Sequence, residues 1–165
     1  MLQSITLRRA TPADDPVLAQ HFYQMWRDLN VPPEEIRPDW RDRTLRYIAK
    51  ARETLEYAAF IAEVQSAEGK PLIIGSAGCQ IFDGLYPLVL MPTYRKDGYI
   101  WGVFVEAAYR RQGIARQLTE AAIAHLKAIG CARAVLNASP MGRSVYEKMG
   151  FVPGNALFLE LRESV

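Results

Sequence analysis

The segment from residue 103 to residue 115 constrains the fold most, because it changes from strand character to helix character across a short basic loop. Its first three residues, Val-Phe-Val, are β-branched or aromatic, as is typical of a strand. From Ile114 onwards, apolar residues recur at helical spacing. Arg110, Arg111 and Gly113 lie between the two. Because a helix start carries free N–H groups and partial positive charge, this segment predicts a phosphate-binding site.

The flanking patterns predict a mixed α/β fold. A strand–helix–strand unit centred on Gly113 should form a right-handed parallel crossover, whereas the earlier strands follow one another as antiparallel neighbours. We therefore expect a mixed, mostly antiparallel sheet flanked by helices. Helices are expected at about 12–29, 39–55, 113–129 and 140–149, and strands at 5–7, 57–64, 72–82, 99–105, 132–136 and 156–161.

The composition is that of an ordinary globular domain. The chain has 165 residues, 50% of them hydrophobic and 23% charged, so we expect a single domain over 1–165. The formal charge of +2 gives no reason to expect nucleic acid or an acidic membrane as a partner. No apolar run suits a signal peptide or a bilayer span, which favours the cytoplasm. The two cysteines and two histidines lack metal-ligand spacing, and His21 and His125 are expected to pack in or near the core, so we expect no metal.

Two motifs in the second half of the chain carry a family resemblance. The first is Arg/Gln-x-x-Gly-x-Gly/Ala, present as Arg110, Gly113 and Ala115 between the predicted strand and helix. The second lies in residues 138–151, where Val-Tyr-Glu-Lys-Met-Gly-Phe is similar to Leu-Tyr-Glu-Lys-Leu-Gly-Phe of the same family. With both motifs in the expected order and separation, the chain resembles the GNAT superfamily of acyl-CoA-dependent N-acetyltransferases, whose fold agrees with the predicted elements.

The resemblance implies acetyl-CoA as co-substrate. Its pyrophosphate would lie on the N–H groups of residues 111–116, and its pantetheine arm would pair with residues 103–105 like an additional strand. Tyr146 matches the family's tyrosine near the thioester sulfur, where it would protonate the departing thiolate. The implied cofactor-binding residues are Val103, Phe104, Val105, Arg110, Arg111, Gln112, Gly113, Ile114, Ala115, Arg116, Ser139 and Ser144.

The implied reaction is direct attack of a primary amine, on a small molecule or a peptide, on the thioester. Such attack requires a base for the ammonium proton. Many family members carry a glutamate on the fourth strand, but residues 98–102, Gly-Tyr-Ile-Trp-Gly, contain no carboxylate. Asp97, Tyr99 and a water relay remain alternatives. Aromatic residues of the first two helices and the fourth strand are candidates for the acceptor pocket, namely Tyr23, Trp26, Trp40 and Trp101.

Two other functions stay open. The missing carboxylate is compatible with a catalytically silent acyl-CoA-binding sensor or regulatory module. The apolar residues 85–91 lie in a 16-residue connection, 83–98, that is long for a loop and unusually apolar. An interaction module would use them to bind a partner or a second copy of the chain. A homodimer is therefore compatible with the sequence.

Overall fold

The computed structural model describes residues 4–162 and contains one mixed sheet with helices on both faces. The strands are β1 (Thr6–Arg9), β2 (Ala58–Gln65), β3 (Pro71–Ile81), β4 (Asp97–Val105) and β5 (Arg133–Val135). The helices are α1 (Asp15–Asp28), α2 (Trp40–Thr54), α3 (Ile114–Ala128) and α4 (Arg143–Lys148). The spatial order is β1-β2-β3-β4-β5, with β4 and β5 parallel and the other neighbours antiparallel. The predicted mixed, mostly antiparallel α/β fold is confirmed.

The alternation of side chains along β2 divides the core into two layers. Ala59 and Ile61 pack with α1 and α2, in a cluster that includes the fully buried Ile48. Ala62 and Val64 point to the other face, where they pack with Leu118 of α3. Because successive strand residues face opposite sides, a central strand covered by helices on both faces must be apolar at nearly every position.

A β-bulge in β4 changes the direction of its backbone near the middle of the strand. Between the pairs Gly78↔Trp101 and Ser76↔Phe104, β3 advances by two residues and β4 by three, so β4 carries one extra residue. Gly102, within the bulge, has φ of +65°, a conformation that residues with a side chain adopt at a cost. The extra residue increases the local twist of β4.

The parallel pairing of β4 with β5 is short. It extends from Asp97↔Arg133 to Tyr99↔Val135 and then stops. From Ile100 to Val105, β4 remains paired with β3 on one edge only. The two parallel strands therefore diverge beyond Tyr99 and leave an open gap between them.

The predicted last strand, 156–161, is wrong: these residues form no strand in the structure. Leu157 is 96% exposed and Phe158 is fully exposed. Alternation of apolar residues identifies a segment that can be extended, but a strand also requires a neighbouring edge with which to pair. The last helix is also shorter than predicted, because a turn over 139–142 precedes α4.

The connection from residue 82 to residue 96 contains neither helix nor strand, and its apolar side chains from Leu85 to Met91 are exposed, Leu85 at 75% and Val89 at 82%. Among the described residues, no helix is both long and apolar enough to cross a bilayer.

Candidate functional site

A cleft of about 1550 Å³ occupies the gap where β4 and β5 diverge. One wall is β4 from Tyr99 to Val105, and the opposite wall is formed by residues 136–142 and α4. Residues of α1 and α2, together with the first turn of α3, complete the lining. The N-terminus of a helix and the free edge of a strand therefore open into one cavity.

The turn before α3 is shaped to present backbone N–H groups. Arg111 has φ of +67° and Gly113 has φ of +78°, so two residues of this turn are left-handed. The first residues of α3 lack intrahelical acceptors for their N–H groups, as in any helix. A side chain built on Gly113 would meet no atom within 4 Å, so the approach to these groups is open. Such a concave set of N–H groups binds anions.

The predicted cofactor-binding residues of this turn all line or border the cleft. Arg111, Gln112 and Gly113 are exposed, and Arg111 forms no ion pair with another described residue. Arg116 pairs with Glu120 on the surface of α3 at 2.8 Å. Residues at the turn that line the cleft are Arg110, Arg111, Gly113, Ile114, Ala115 and Arg116.

The side chain of Arg110 is engaged within the protein. Its Nε donates to the backbone oxygen of Val105 at 2.8 Å, and its Nη2 donates to the carboxylate of Asp28. The guanidinium therefore connects the end of β4 and the last residue of α1 to the turn. The motif predicted that Arg110 lies in the site. It could not show that the side chain binds Val105 and Asp28 and so holds the turn in place.

The part of β4 from Val103 to Val105 lines the cleft with its unpaired edge. Phe104 and Val105 are buried, and Val103 is half-buried. No strand within residues 4–162 pairs with this edge, so its backbone groups, apart from the Val105 oxygen that Arg110 already occupies, can pair with an extended ligand in the manner of β-augmentation. The three residues predicted for pantetheine binding lie together here.

Tyr146 of α4 faces the cleft from the opposite wall. The residue is 9% exposed, and its ring packs edge-on against Phe151 at 5.8 Å between centroids. A side chain on Gly142 would come within 3.1 Å of the Tyr146 ring, so glycine makes room for it. Burial raises the pKa of the phenol. Its hydroxyl has no hydrogen-bond partner among residues 4–162, so a protonated donor is available to a ligand.

The two predicted serines also lie on this wall. The hydroxyl oxygen of Ser139 accepts the N–H of Gly142 at 3.1 Å, in the turn that precedes α4. Its proton remains available to a ligand. Ser144 is exposed in the first turn of α4 and lines the cleft.

Of the candidate bases, Asp97 lies outside the cleft. Both of its carboxylate oxygens accept hydrogen bonds from Arg133, at 2.9 and 2.7 Å. Tyr99 does line the cleft, and its hydroxyl accepts a hydrogen bond from Asn137 at 3.0 Å. Among residues 4–162, Asp28 provides the only carboxylate in the lining of the cleft, and this carboxylate already forms an ion pair with Arg110.

Aromatic side chains form the part of the cleft nearest to α1 and α2. The rings of Tyr47 and Trp101 meet edge-on at 5.5 Å, and Gln80 connects them. The Gln80 amide donates to the Tyr47 hydroxyl at 2.8 Å and accepts from the Trp101 indole at 3.0 Å. Of the aromatic residues predicted for the acceptor pocket, Trp26 and Trp101 line the cleft. Tyr23 and Trp40 instead stack on one another outside it.

Sequence reasoning missed Tyr47. The available signal was its position on α2 between Arg46 and Lys50, on the side of the helix that borders the buried face rather than within it. Residues three and four apart on a helix are neighbours, so Tyr47 shares this side with Arg43. Among the described residues there is no group of three or more His, Cys, Asp or Glu side chains that could hold a metal ion.

Comparison with known proteins agrees with the family resemblance of the two sequence motifs. The family model described as "Acetyltransferase (GNAT) family" matches residues 19–151. No curated protein sequence gives a significant match.

Solved structures share the fold at low sequence identity. A predicted acetyltransferase from Clostridium acetobutylicum with acetyl-CoA is 24% identical, with 96% of each chain covered and a TM-score of 0.77. Glucosamine-6-phosphate N-acetyltransferase from Arabidopsis thaliana is 18% identical, covering 98% of this chain and all of the other at a TM-score of 0.66. An aminoglycoside N-acetyltransferase in complex with CoA is 19% identical, covering 99% of this chain and 98% of the other at a TM-score of 0.64.

Proposed function

The chain belongs to the acetyltransferase (GNAT) family, and on that premise we propose that it transfers the acetyl group of acetyl-CoA to a primary amine by direct attack on the thioester. One observation carries this proposal: the free edge of β4, the N–H groups at the start of α3 and the phenol of Tyr146 all face a single cleft. These are the groups needed to bind an extended arm, an anion and a leaving thiolate, respectively.

The residues fit the co-substrate in their chemistry. The free edge from Val103 to Val105 pairs with the amide groups of the pantetheine arm. The left-handed turn at Arg111 and Gly113, together with the first turn of α3, receives the pyrophosphate on backbone N–H groups. The hydroxyls of Ser139 and Ser144 are further donors on the opposite wall.

In the reaction, a bond forms between the amine nitrogen and the carbonyl carbon, and the carbon–sulfur bond breaks. The leaving thiolate takes its proton from the Tyr146 hydroxyl, whose pKa is raised by burial and which therefore stays protonated in neutral solution. The attacking nitrogen becomes positively charged when the bond forms, and the proton that it then releases restores the phenol. N–H groups of the bulged part of β4, up to Val105, stabilise the negative charge on the carbonyl oxygen.

The amine loses its proton to water in this scheme. A primary amine with a pKa of about 10.4 is mostly protonated at pH 7, which corresponds to roughly 4.6 kcal/mol for deprotonation. No unpaired carboxylate lines the cleft among the described residues. Tyr99, hydrogen-bonded to Asn137, is the polar group on β4 that can order water for this transfer.

The test is an assay of thiol release from acetyl-CoA with a panel of primary amines, in which mass spectrometry of the products shows the added acetyl group. Turnover that depends on an amine supports the proposal. The lack of a free carboxylate favours one second candidate, a catalytically silent acyl-CoA-binding sensor. Binding of acetyl-CoA by calorimetry without turnover of any amine would support the sensor and contradict the enzyme.

A further inference from the structure

Three cationic side chains on one face of α2 line the cleft. Arg43, Arg46 and Lys50 stand three and four residues apart, so they lie on the same side of the helix as Tyr47. All four side chains line the cavity, whereas the opposite face of α2 is buried against the sheet through Ile48.

These cations are not neutralised within the cleft. Arg46 and Lys50 form no ion pair with any residue of the described part of the chain. Arg43 contacts Asp39 at 2.8 Å, but Asp39 does not line the cavity and the arginine remains 51% exposed. The carboxylate that does line it, Asp28, is paired with Arg110. A concave surface with one sign of charge concentrates ligands of the opposite sign.

Their location separates these cations from the groups that would hold the pyrophosphate. Tyr47, between Arg46 and Lys50 in sequence, contacts Trp101. Trp101 precedes Val105 by four residues, which corresponds to at most roughly 13 Å along a strand, because the bulge at Gly102 shortens the path. The anion-binding turn at the start of α3 follows Val105 and is attached to it through Arg110. The cleft thus has a second cationic region, beside the aromatic side chains and upstream on β4.

We propose that the acceptor is a primary amine that also carries an anionic group, a carboxylate or a phosphate, and that Arg46 and Lys50 bind this group. The inference rests on the proposed function and specifies its acceptor. The Tyr47 and Trp101 rings contact the body of the acceptor. The Tyr47 hydroxyl, which already accepts a hydrogen bond from the Gln80 amide, donates one to the acceptor. A polycationic amine is disfavoured because it would bring like charges together beside α2.

The test uses pairs of amines that differ in the anionic group. Phenylalanine is compared with phenethylamine, glucosamine 6-phosphate with glucosamine, and spermidine serves as the polycation. Affinity for the CoA-loaded protein is measured by tryptophan fluorescence, since Trp26 and Trp101 both line the cleft. Turnover is measured in parallel by thiol release.

We expect at least one anionic amine to bind tenfold or more tightly than its partner without the anionic group, and the preferred pair distinguishes a carboxylate from a phosphate. Arg46→Gln and Lys50→Gln should each reduce that affinity tenfold or more while changing affinity for the partner little. Lys50→Arg should restore most of it. The matched control is Lys70→Gln, in the turn between β2 and β3, which removes an exposed cation outside the cleft and should leave both affinities unchanged.

Equal affinities within each pair, no detectable affinity for either anionic amine, or an equal loss in Lys70→Gln would overturn the inference. Preferential binding of an anionic amine without acetylation of any amine would support the anionic subsite and contradict the proposed transferase. Acetylation confined to amines without an anionic group would support the transferase and overturn the subsite.

Discussion

The carboxylate of Asp28, the last residue of α1, accepts a hydrogen bond from the guanidinium of Arg110, 82 residues later in the chain. The same guanidinium donates to the backbone oxygen of Val105 at 2.8 Å. One arginine therefore joins a helix, the end of β4 and the turn that leads into α3. Helix α1, which lines the cleft beside Trp101, is thereby connected directly to the turn before α3.

This arrangement predicts different effects for two adjacent arginines. Arg110→Met should lower the free energy of unfolding by about 1.5–3 kcal/mol, because it removes hydrogen bonds from a charged group and leaves the Asp28 carboxylate without its cationic partner. Arg111→Met should leave stability nearly unchanged but weaken acetyl-CoA binding by roughly tenfold, as expected for a charge-assisted contact. Urea denaturation and calorimetry measure the two effects. Equal stabilities of the two variants would contradict the role given to Arg110.

Gly113→Ala should affect both stability and binding. Its φ of +78° is unfavourable for alanine, so we expect a loss of about 1 kcal/mol in the free energy of unfolding. The added methyl group would also obstruct phosphate approach, and acetyl-CoA affinity should fall at least tenfold. Gly69→Ala is the control, because Gly69 has φ of +74° and equally open surroundings but lies in a distant turn. Equal affinities in the two variants would exclude the phosphate site.

Tyr146→Phe should lower kcat by tenfold or more, on the scale of a lost general acid, with little change in acetyl-CoA affinity. Since burial raises the pKa of the phenol, the wild-type rate should rise with pH as the amine deprotonates and should not decline below pH about 10. Tyr86→Phe, in the exposed connection before β4, is the matched control. Unchanged turnover in Tyr146→Phe would remove this tyrosine from the mechanism.

Asp97→Asn should retain full activity, because its carboxylate is bound by Arg133 and lies outside the cleft. We expect kcat and its pH profile to match the wild type, with a stability loss of about 1 kcal/mol from the weakened pair. A fall of kcat by a factor of a hundred or more would instead identify Asp97 as the missing base.

His21 predicts a specific dependence of stability on pH. The ring is buried on α1, with Nδ1 2.8 Å from the Ser76 hydroxyl, and burial lowers its pKa to about 4. Glu106 is 3.7 Å from Nε2 but half exposed, so solvent screens its opposing effect. Between pH 6.5 and 4 the unfolded chain binds a proton that the folded chain does not, which lowers stability by about 3 kcal/mol as the pH falls.

Urea denaturation at pH 7, 5.5 and 4 checks this dependence. The His21→Gln variant should be less stable than wild type at pH 7 but should lose less stability on acidification. A slope in His21→Gln as steep as that of the wild type would show that other groups cause the acid sensitivity.

The segment from β4 to α3 was predictable because its signals are local. The residue types of strand, turn and helix follow one another directly, and the glycine at position 113 lies where the chain turns left-handed. The helix expected over 113–129 is observed as Ile114–Ala128. Where conformation depends on neighbours in sequence, one sequence contains enough information.

The parts that were missed depend on neighbours in space. Asp28 and Arg110 are far apart in sequence, so nothing local indicates that they pair. Tyr47 becomes a site residue only because α2 packs next to Trp101. The segment 156–161 was wrongly predicted as a strand for the same reason. Its apolar and polar residues alternate as in a strand, but no strand of residues 4–162 pairs with it.

The short parallel ladder between β4 and β5 makes the two walls of the cleft unequal in rigidity. β4 is held along its length by β3, whereas the wall that carries Tyr146 is joined to the sheet by the pairs from Asp97↔Arg133 to Tyr99↔Val135 and by packing of Phe151. Among the described residues, that wall has no further ladder bond to β4 beyond Tyr99. If the proposed function holds, a pantetheine arm paired with the free edge of β4 would contact both walls, so that binding and release of the co-substrate would change how firmly the second wall is held.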